Sequence, residues 1–352
     1  MDEAFHAGEQ ALQARAGQRE RLAEVGRRII RPAMPDAHRQ FFQQLPWLLV
    51  GGVDASGQPW ASALSGPPGF VQSPDPHTLV LQARLPASDP LADALSAGAR
   101  IGLLGLQAHT RRRNRANGRV IQQQADGWQV AINQSFGNCP KYIQPRRLDY
   151  QPHPQPTPPA QRSATLNARA RQLIAQADTC FIASAHPDND GQPAHGVDVS
   201  HRGGPAGFVH CVDEQTLLLP DYAGNGYFNS LGNLQLNPRA GLLWLDFIGG
   251  DMLWLAADST LIEHGPLLAA HPGAARLLRL QVREVRYAKG ALGVREVGEA
   301  TRSPAAMRAH HAKQHGQQAE GEQQPVHALQ AAQGGSRVGL GLCGQLAMHD
   351  KR

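Results

Sequence analysis

Gly69-Phe70-Val71, Thr78-Leu79 and Gly102-Leu103-Leu104 return further along the chain as Gly207-Phe208-Val209, Thr216-Leu217 and Gly241-Leu242-Leu243. The offsets are 138, 138 and 139 residues, and an earlier pair, Gly57-Gln58-Pro59 and Gly191-Gln192-Pro193, is offset by 134. Four matches in one order at nearly constant spacing mark a unit written twice, and two copies of this length mean a duplicated domain rather than a solenoid. A duplicated domain can build one site between its copies and let the other decay.

The chain has 352 residues, enough for two domains with their own cores. Glycine (37) and proline (26) are abundant, which favours strands and tight turns over long helices. The net charge is +5, a mild basic excess that suits an anionic small molecule at least as well as nucleic acid. Cys139, Cys180, Cys211 and Cys343 form no CxxC pair, the pattern of a reduced, cytoplasmic protein. No apolar run reaches the ~18 residues of a membrane span.

Residues 1–45 read as a helical segment, with Ala11 to Ile30 as one helix ended by Pro32 and Pro35. Residues 46–145 read as the first unit. Trp47–Val53 and Pro59–Leu64 form a hairpin about Asp54–Gly57. Strands follow at 78–83, 101–106, 109–120 and 128–134, with a short helix at 90–95. Six prolines between 145 and 159 place a stiff linker at 146–162. The second unit spans 163–295, with helices at 168–177 and 227–236 and strands at 180–185, 194–199, 216–219, 241–247, 252–257 and 278–287. Residues 296–352, rich in Gln, Ala, His and Gly, read as a weakly ordered tail. Short strands and tight turns in each unit predict two small antiparallel barrels, paired like a two-fold dimer.

Two stretches carry candidate chemistry. Asp198-Val-Ser200-His-Arg202-Gly203-Gly204 reads as a strand opening into a glycine turn, where backbone amides approach an anion and Arg202 adds a fork suited to phosphate. Pro220-Asp-Tyr-Ala-Gly-Asn225-Gly226 then enters a short helix whose first amides can face an anion, or else Asn225 simply caps that helix. On a strand, His109, Arg111, Arg113, Arg115 and Asn117 share one face, with Arg112 solvated on the other. The run lacks the interleaved aromatics of single-strand binders, so no nucleic-acid role is expected.

Phe181-Ile-Ala-Ser-Ala, Gly191-Gln-Pro, Asp198 to Gly204, Gly207-Phe-Val, Thr216-Leu, Asn233-Leu and Asn237-Pro-Arg-Ala-Gly-Leu-Leu together resemble the pyridoxamine 5′-phosphate oxidase-related, FMN-binding split-barrel family. The likeness covers about 40–145 and 170–290. It implies two tandem FMN-binding split β-barrels with short helices, packed as a pseudo-dimer. Family members are typically dimers with FMN in the cleft between two barrels. The resemblance therefore implies FMN as cofactor, with its phosphate near Ser200, Arg202, Gly203 and Gly204 and further contacts from Asn225, Asn229 and Asn233. Two more family pieces lie in the first copy: Arg115-Ala-Asn117-Gly118 beside Arg113, and the segment 134–142 with Ser135, Asn138, Cys139 and Lys141.

At an offset of 138, Arg202 and Gly203 face Leu64 and Ser65. At 139, Arg115, Asn117 and Gly118 face Trp254, Ala256 and Ala257. At 150, Asn138 and Cys139 face Ala288 and Lys289. Each copy lacks what the other keeps, which predicts one composite FMN site and a dead pseudo-symmetric one. The expected function is an FMN-dependent oxidoreductase acting on a small molecule or NAD(P)H, without membrane partners, as a monomeric pseudo-dimer or a homodimer. The alternatives are a non-catalytic flavin-binding sensor and a haem-binding split barrel. No catalytic residue and no metal site is assigned. His195 and His201 flank the phosphate motif and read as structural histidines.

Overall fold

The computed structural model describes residues 4–152 and 159–298. Most of the tail expected from 296 lies outside the described residues, as do positions 153–158 of the proline-rich linker.

The elements run α1 (Ala7–Arg15), α2 (Arg19–Ile29), α3 (Asp36–Gln43), β1 (Trp47–Val53), β2 (Pro59–Ser65), β3 (Val71–Gln72), β4 (Thr78–Leu81), β5 (Arg100–Gln107), β6 (Arg112–Gln124), β7 (Gly127–Gly137), β8 (Leu148–Tyr150) and β9 (Gln161–Ser163). They continue with α4 (Ala168–Gln176), β10 (Thr179–Ala185), β11 (Val197–Gly203), β12 (His210–Cys211), β13 (Thr216–Tyr222), α5 (Asn229–Leu236), β14 (Arg239–Leu245), β15 (Met252–Ile262), α6 (Pro266–Ala269), β16 (Ala274–Ala288) and β17 (Val294–Glu296). One sheet has the order β2-β1-β5-β6-β7-β4-β3 and the other β11-β10-β14-β15-β16-β13-β12, with β9 added on β16. Replacing each strand of the first by its counterpart gives the second, so the fold is one mostly antiparallel unit used twice.

The duplication holds at the level of register. Leu104 pairs with Arg115 and Arg115 with Phe136; in the second unit Leu243 pairs with Trp254 and Trp254 with Arg286. Those pairs stand at offsets of 139 and 150, the spacings of the sequence repeat. The β-bulge at Asn117/Gly118 recurs at Ala256/Ala257.

β1, β2, β10 and β11 are buried on both faces, as nearly continuous apolar strands must be. One face meets its own core and the other meets the opposite unit. Two glycines permit that approach. A Cβ on Gly102 would lie 2.6 Å from the Val197 carbonyl oxygen, and a Cβ on Gly241 would run into the Pro59 carbonyl. These contacts are counterparts under the pseudo-two-fold axis, the self-complementary arrangement of a symmetric dimer made within one chain. The core of the first unit extends through the interface to Phe181, Val199, Leu243 and Trp254, while a second cluster fills the other unit.

Several sequence expectations change. The helix expected over Ala11–Ile30 is two helices, broken where Gly17 adopts a φ of 65°. Residues 90–94 form turns, so the helix expected over 90–95 is absent. The strand expected from His109 starts at Arg112, because 108–110 form a 3₁₀ turn and Arg111 is left-handed (φ 55°). The predicted row of five side chains therefore reduces to Arg113, Arg115 and Asn117. Arg112 is not simply solvated: its guanidinium lies 4.6 Å from the Phe41 ring centroid and donates to the Ala37 carbonyl. Val197–Gly203 is strand throughout, so Ser200, Arg202 and Gly203 sit on β11 rather than in a turn after it. The linker is pinned at both ends, with β8 paired to β17 and β9 to β16. Among the described residues, no helix is long and apolar enough to cross a membrane.

Candidate functional site

A cleft of about 330 Å³ opens between the units. The first unit lends it Leu104, Arg113, Arg115, Asn138, Lys141 and Tyr142. The second lends Ser200 to Gly203 from β11, Pro220 to Gly226 from the end of β13 and the loop after it, the first turn of α5, and Arg276 from β16. Ala16 and Gln18, at the break between α1 and α2, close one side.

Behind this wall lies a buried ion pair across the interface. Arg115 Nε stands 3.0 Å from Asp198 Oδ1, with side chains 7% and 4% exposed. Arg115 also donates to Asn229 Oδ1 (2.6 Å), the Val199 carbonyl (3.3 Å) and the Ser200 hydroxyl. Asp198 accepts further bonds from Ser200 and Ser230, and Asn229 passes the network to Glu9 Oε1 at 2.6 Å. Burial raises the Glu9 carboxyl to about 8, so it is mostly protonated at neutral pH. The donors of Arg115 are thus consumed by protein partners.

Nearer the opening, the cations are less fully paired. Arg113 Nε donates to the Cys139 carbonyl at 2.7 Å and holds the 138–139 segment in place. Burial, then the neighbouring Arg115, lowers its guanidinium to about 9. Asp221 receives Arg202 Nη1 at 2.9 Å and Arg276 Nε at 3.1 Å. Among the described residues it is the one carboxylate lining the cleft, against Arg113, Arg115, Lys141, Arg202 and Arg276. The lining carries an excess of positive charge. The Tyr142 and Tyr222 rings stack with centroids 5.3 Å apart, and Arg276 covers the Phe228 ring at 4.6 Å. Three lining residues each keep a buried polar atom without a partner among the described residues: Asn138 Oδ1, His201 Nδ1 and Arg202 Nε. Burial, with Arg113 and Arg146 nearby, drives the His201 imidazole well below its ordinary value, so it is neutral.

The cleft therefore brings together Arg113, Arg115, Asn138, Lys141, Ser200, Arg202, Gly203, Asn225 and Asn229. Other candidates lie elsewhere. Asp198 sits one layer behind, under Arg115. Gly204 spends its N–H on the Asp178 carbonyl, and the Phe208 ring fills the place of its side chain. Gly203 is required because a Cβ would run into the Tyr142 carbonyl. The glycine pair thus serves close packing rather than a phosphate-binding turn. Asn233 turns to the Ser184 carbonyl. Gly118 lies at the bulge against Ala131, Asn117 is buried beside it, and Ser135 bonds His38 Nδ1 at 2.9 Å. Cys139 meets Arg113 through its carbonyl. Asn225 caps no helix: its side chain bonds the Tyr227 amide at 3.1 Å, and Phe228 occupies the N-cap of α5.

Sequence reasoning missed Glu9, Asp221, Tyr222, Ser230 and Arg276 as parts of this region. Asp221 and Tyr222 lay inside the loop it singled out. Arg276 gave no signal, since it meets Asp221 only through the β13–β16 register.

The pseudo-symmetric positions tell the opposite story. Arg113, Arg115, Asp198 and Arg202 correspond by register to Met252, Trp254, Trp60 and Leu64. All four are fully buried in the hydrophobic core. Apolar side chains fill the place of the ion pair and the cations.

The sequence model of the family described as pyridoxamine 5′-phosphate oxidase matches residues 34–158 and again 166–332, more than half of the chain and once per unit. The chain belongs to the pyridoxamine 5′-phosphate oxidase family. This family member finds no match among curated proteins. Among solved structures it is similar to HupZ of Group A Streptococcus (11% identity, 38% of this chain and 98% of that one, TM-score 0.27). It is also similar to a FAD-binding protein of Mesorhizobium loti (15%, 36% and 96%, 0.24). HutZ, the haem storage protein of Vibrio cholerae, gives 14% identity over 36% of this chain and 95% of that one, with a TM-score of 0.25.

Proposed function

We propose that this protein binds FMN in the cleft between its two units and works as an oxidoreductase on a small molecule or NAD(P)H. The observation that carries the reading is the convergence of Arg113 and Lys141 from one unit with Arg202 and Arg276 from the other on a cleft with a single lining carboxylate among the described residues. The residues present fit the group. Arg113, Lys141 and Arg202 suit a phosphate, as do the first-turn amides of α5, which have no intrahelical partner. Leu104 and the Tyr142–Tyr222 stack offer apolar and aromatic surface to a ring system. The unpartnered Asn138 Oδ1 offers an acceptor and His201 Nδ1 a donor or acceptor according to its tautomer, and the volume falls in the ~300–1,000 Å³ range of small-molecule sites.

FMN, when bound, supplies hydride and electron transfer, while the protein sets orientation and access. The Arg115–Asp198 pair fixes β6 against β11, and so fixes the spacing of the cations that hold the phosphate. Neutral His201 holds a buried, unpartnered Nδ1 behind the cleft wall, a donor or an acceptor according to its tautomer.

The test is a titration of FMN fluorescence with wild type, Arg113→Ala, Arg202→Ala and, as a control in the filled pseudo-site, Leu64→Ala. Each lost charge-assisted contact is worth ~1.5–3 kcal/mol, so both arginine variants should bind at least about tenfold more weakly. Leu64→Ala should bind like wild type. Equal binding by all four, or no binding by wild type, overturns the proposal.

A further inference from the structure

The turn joining β10 to β11 carries a cluster that the cleft does not use. The His186 and His195 rings stack face to face, centroids 3.7 Å apart and planes within 6°. His6, the N-cap of α1, lies edge-on to His186 at 4.9 Å. The His6 Nδ1 accepts from the Gly8 amide at 3.2 Å, and His6 forms a wall of the cluster. Asp188 is exposed beside the stack, and ligand atoms of His186, Asp188 and His195 all lie within 4.8 Å of one another.

The turn is held in shape from the other unit. Arg100 Nη1 donates to the carbonyls of His186, Asp188 and His195 at 2.9, 2.6 and 3.1 Å. Asp190 receives His195 Nδ1 at 3.0 Å. A carboxylate on one ring nitrogen fixes the tautomer and leaves Nε2 with its lone pair, the outer-shell arrangement common to metal-bound histidines. His186 is almost fully buried; its Nδ1 accepts from the Asp188 amide at 3.1 Å and lies 4.0 Å from Asp188 Oδ2, so ligation through Nδ1 exchanges that amide bond for the metal.

We propose that His186, Asp188 and His195 form a binding site for a divalent transition cation of the zinc class, which clasps this turn. Two imidazoles and one carboxylate suit zinc and its neighbours rather than calcium or magnesium, which prefer all-oxygen sets. Bonds of ~2.0–2.2 Å in a tetrahedron place ligand atoms about 3.4 Å apart. The widest separation must close by about 1.4 Å, and because face-to-face rings hold their in-plane lone pairs in parallel planes, the His195 ring must turn out of the stack to bind; the exposed Asp188 and Asp190 side chains supply the rest of the movement. Water takes the fourth position. The site is independent of the FMN reading, since none of its three ligands lines the cleft.

The experiment is zinc binding to tag-free, full-length protein by competition with a chromogenic chelator, together with melting curves with and without zinc. His310, His311, His315 and His327 are present in every variant, so only differences between variants count. Wild type should take up one equivalent more than His186→Ala/His195→Ala, at micromolar zinc or below, and zinc should raise the melting temperature of wild type alone. Asp188→Ala changes one exposed side chain and leaves the core untouched, so it serves even where the double variant fails to fold. It should weaken the site about tenfold or more. Equal uptake by wild type and Asp188→Ala, or wild-type uptake only at millimolar zinc, overturns the proposal.

Discussion

Replacing Arg115 by Leu removes one partner of the buried pair and leaves Asp198 in place. The Asp198 side chain is 4% exposed, and after the change it keeps only hydroxyl bonds from Ser200 and Ser230. Stranding a buried charge in this way costs ~3–5 kcal/mol. Asn229 also loses its donor, which adds to the effect. For a chain of this size, where ~1 kcal/mol moves the melting temperature by about 2–4 °C, the drop should be on the order of 10 °C. Scanning calorimetry measures it. The double variant Arg115→Leu/Asp198→Leu takes away both charges and copies the apolar solution that Trp254 and Trp60 already provide in the other half. It should be less destabilised than the sum of the two single variants by ~1–3 kcal/mol. A single variant that melts within ~1 kcal/mol of wild type, or strictly additive effects, would refute the reasoning that this pair locks the two units together.

Burial raises the Asp89 carboxyl to about 7, and Asp89 accepts bonds from Ser62 and the Leu91 amide. The folded state therefore holds a proton that the unfolded chain releases near pH 4, so this contribution to stability is full at low pH and is lost as pH rises to about 7. Glu9, raised to about 8, acts in the same direction. Asp89→Asn should flatten the fall in melting temperature between pH 5 and 8, and an unchanged slope contradicts the assignment. Gly241→Ala forces a methyl group into the Pro59 carbonyl of the facing strand and should cost ~1–3 kcal/mol or more in denaturant unfolding. An alanine tolerated there would mean that the units do not meet as described.

The duplication was legible because it rests on local signals. Turn glycines and short apolar runs repeat, and their spacings of 139 and 150 reappear in the strand registers as Arg115/Trp254 and Phe136/Arg286. Elsewhere the sequence misled where a tertiary contact decided. Gly203-Gly204 looked like a turn built for an anion, whereas the Tyr142 carbonyl and the Phe208 ring exclude a Cβ at those positions. Arg111 looked like part of a strand, but its left-handed backbone ends the 3₁₀ turn before β6. Asp221 and Arg276 lie 55 residues apart and meet through strand register alone, a relation no spacing rule contains. The cluster of His6, His186 and His195 joins a helix cap to a distant turn and is invisible for the same reason.

The central claim is one composite flavin site per chain. Its most direct test is the absorbance of the full-length protein after saturation with FMN and removal of the excess, with released flavin counted against protein. The account predicts flavin bands in the near-ultraviolet and blue at one FMN per chain, lost in Arg113→Ala/Arg202→Ala. Two FMN per chain would show that the apolar half also holds a site. A chain that retains no flavin, or that shows a haem Soret band instead, would contradict the account.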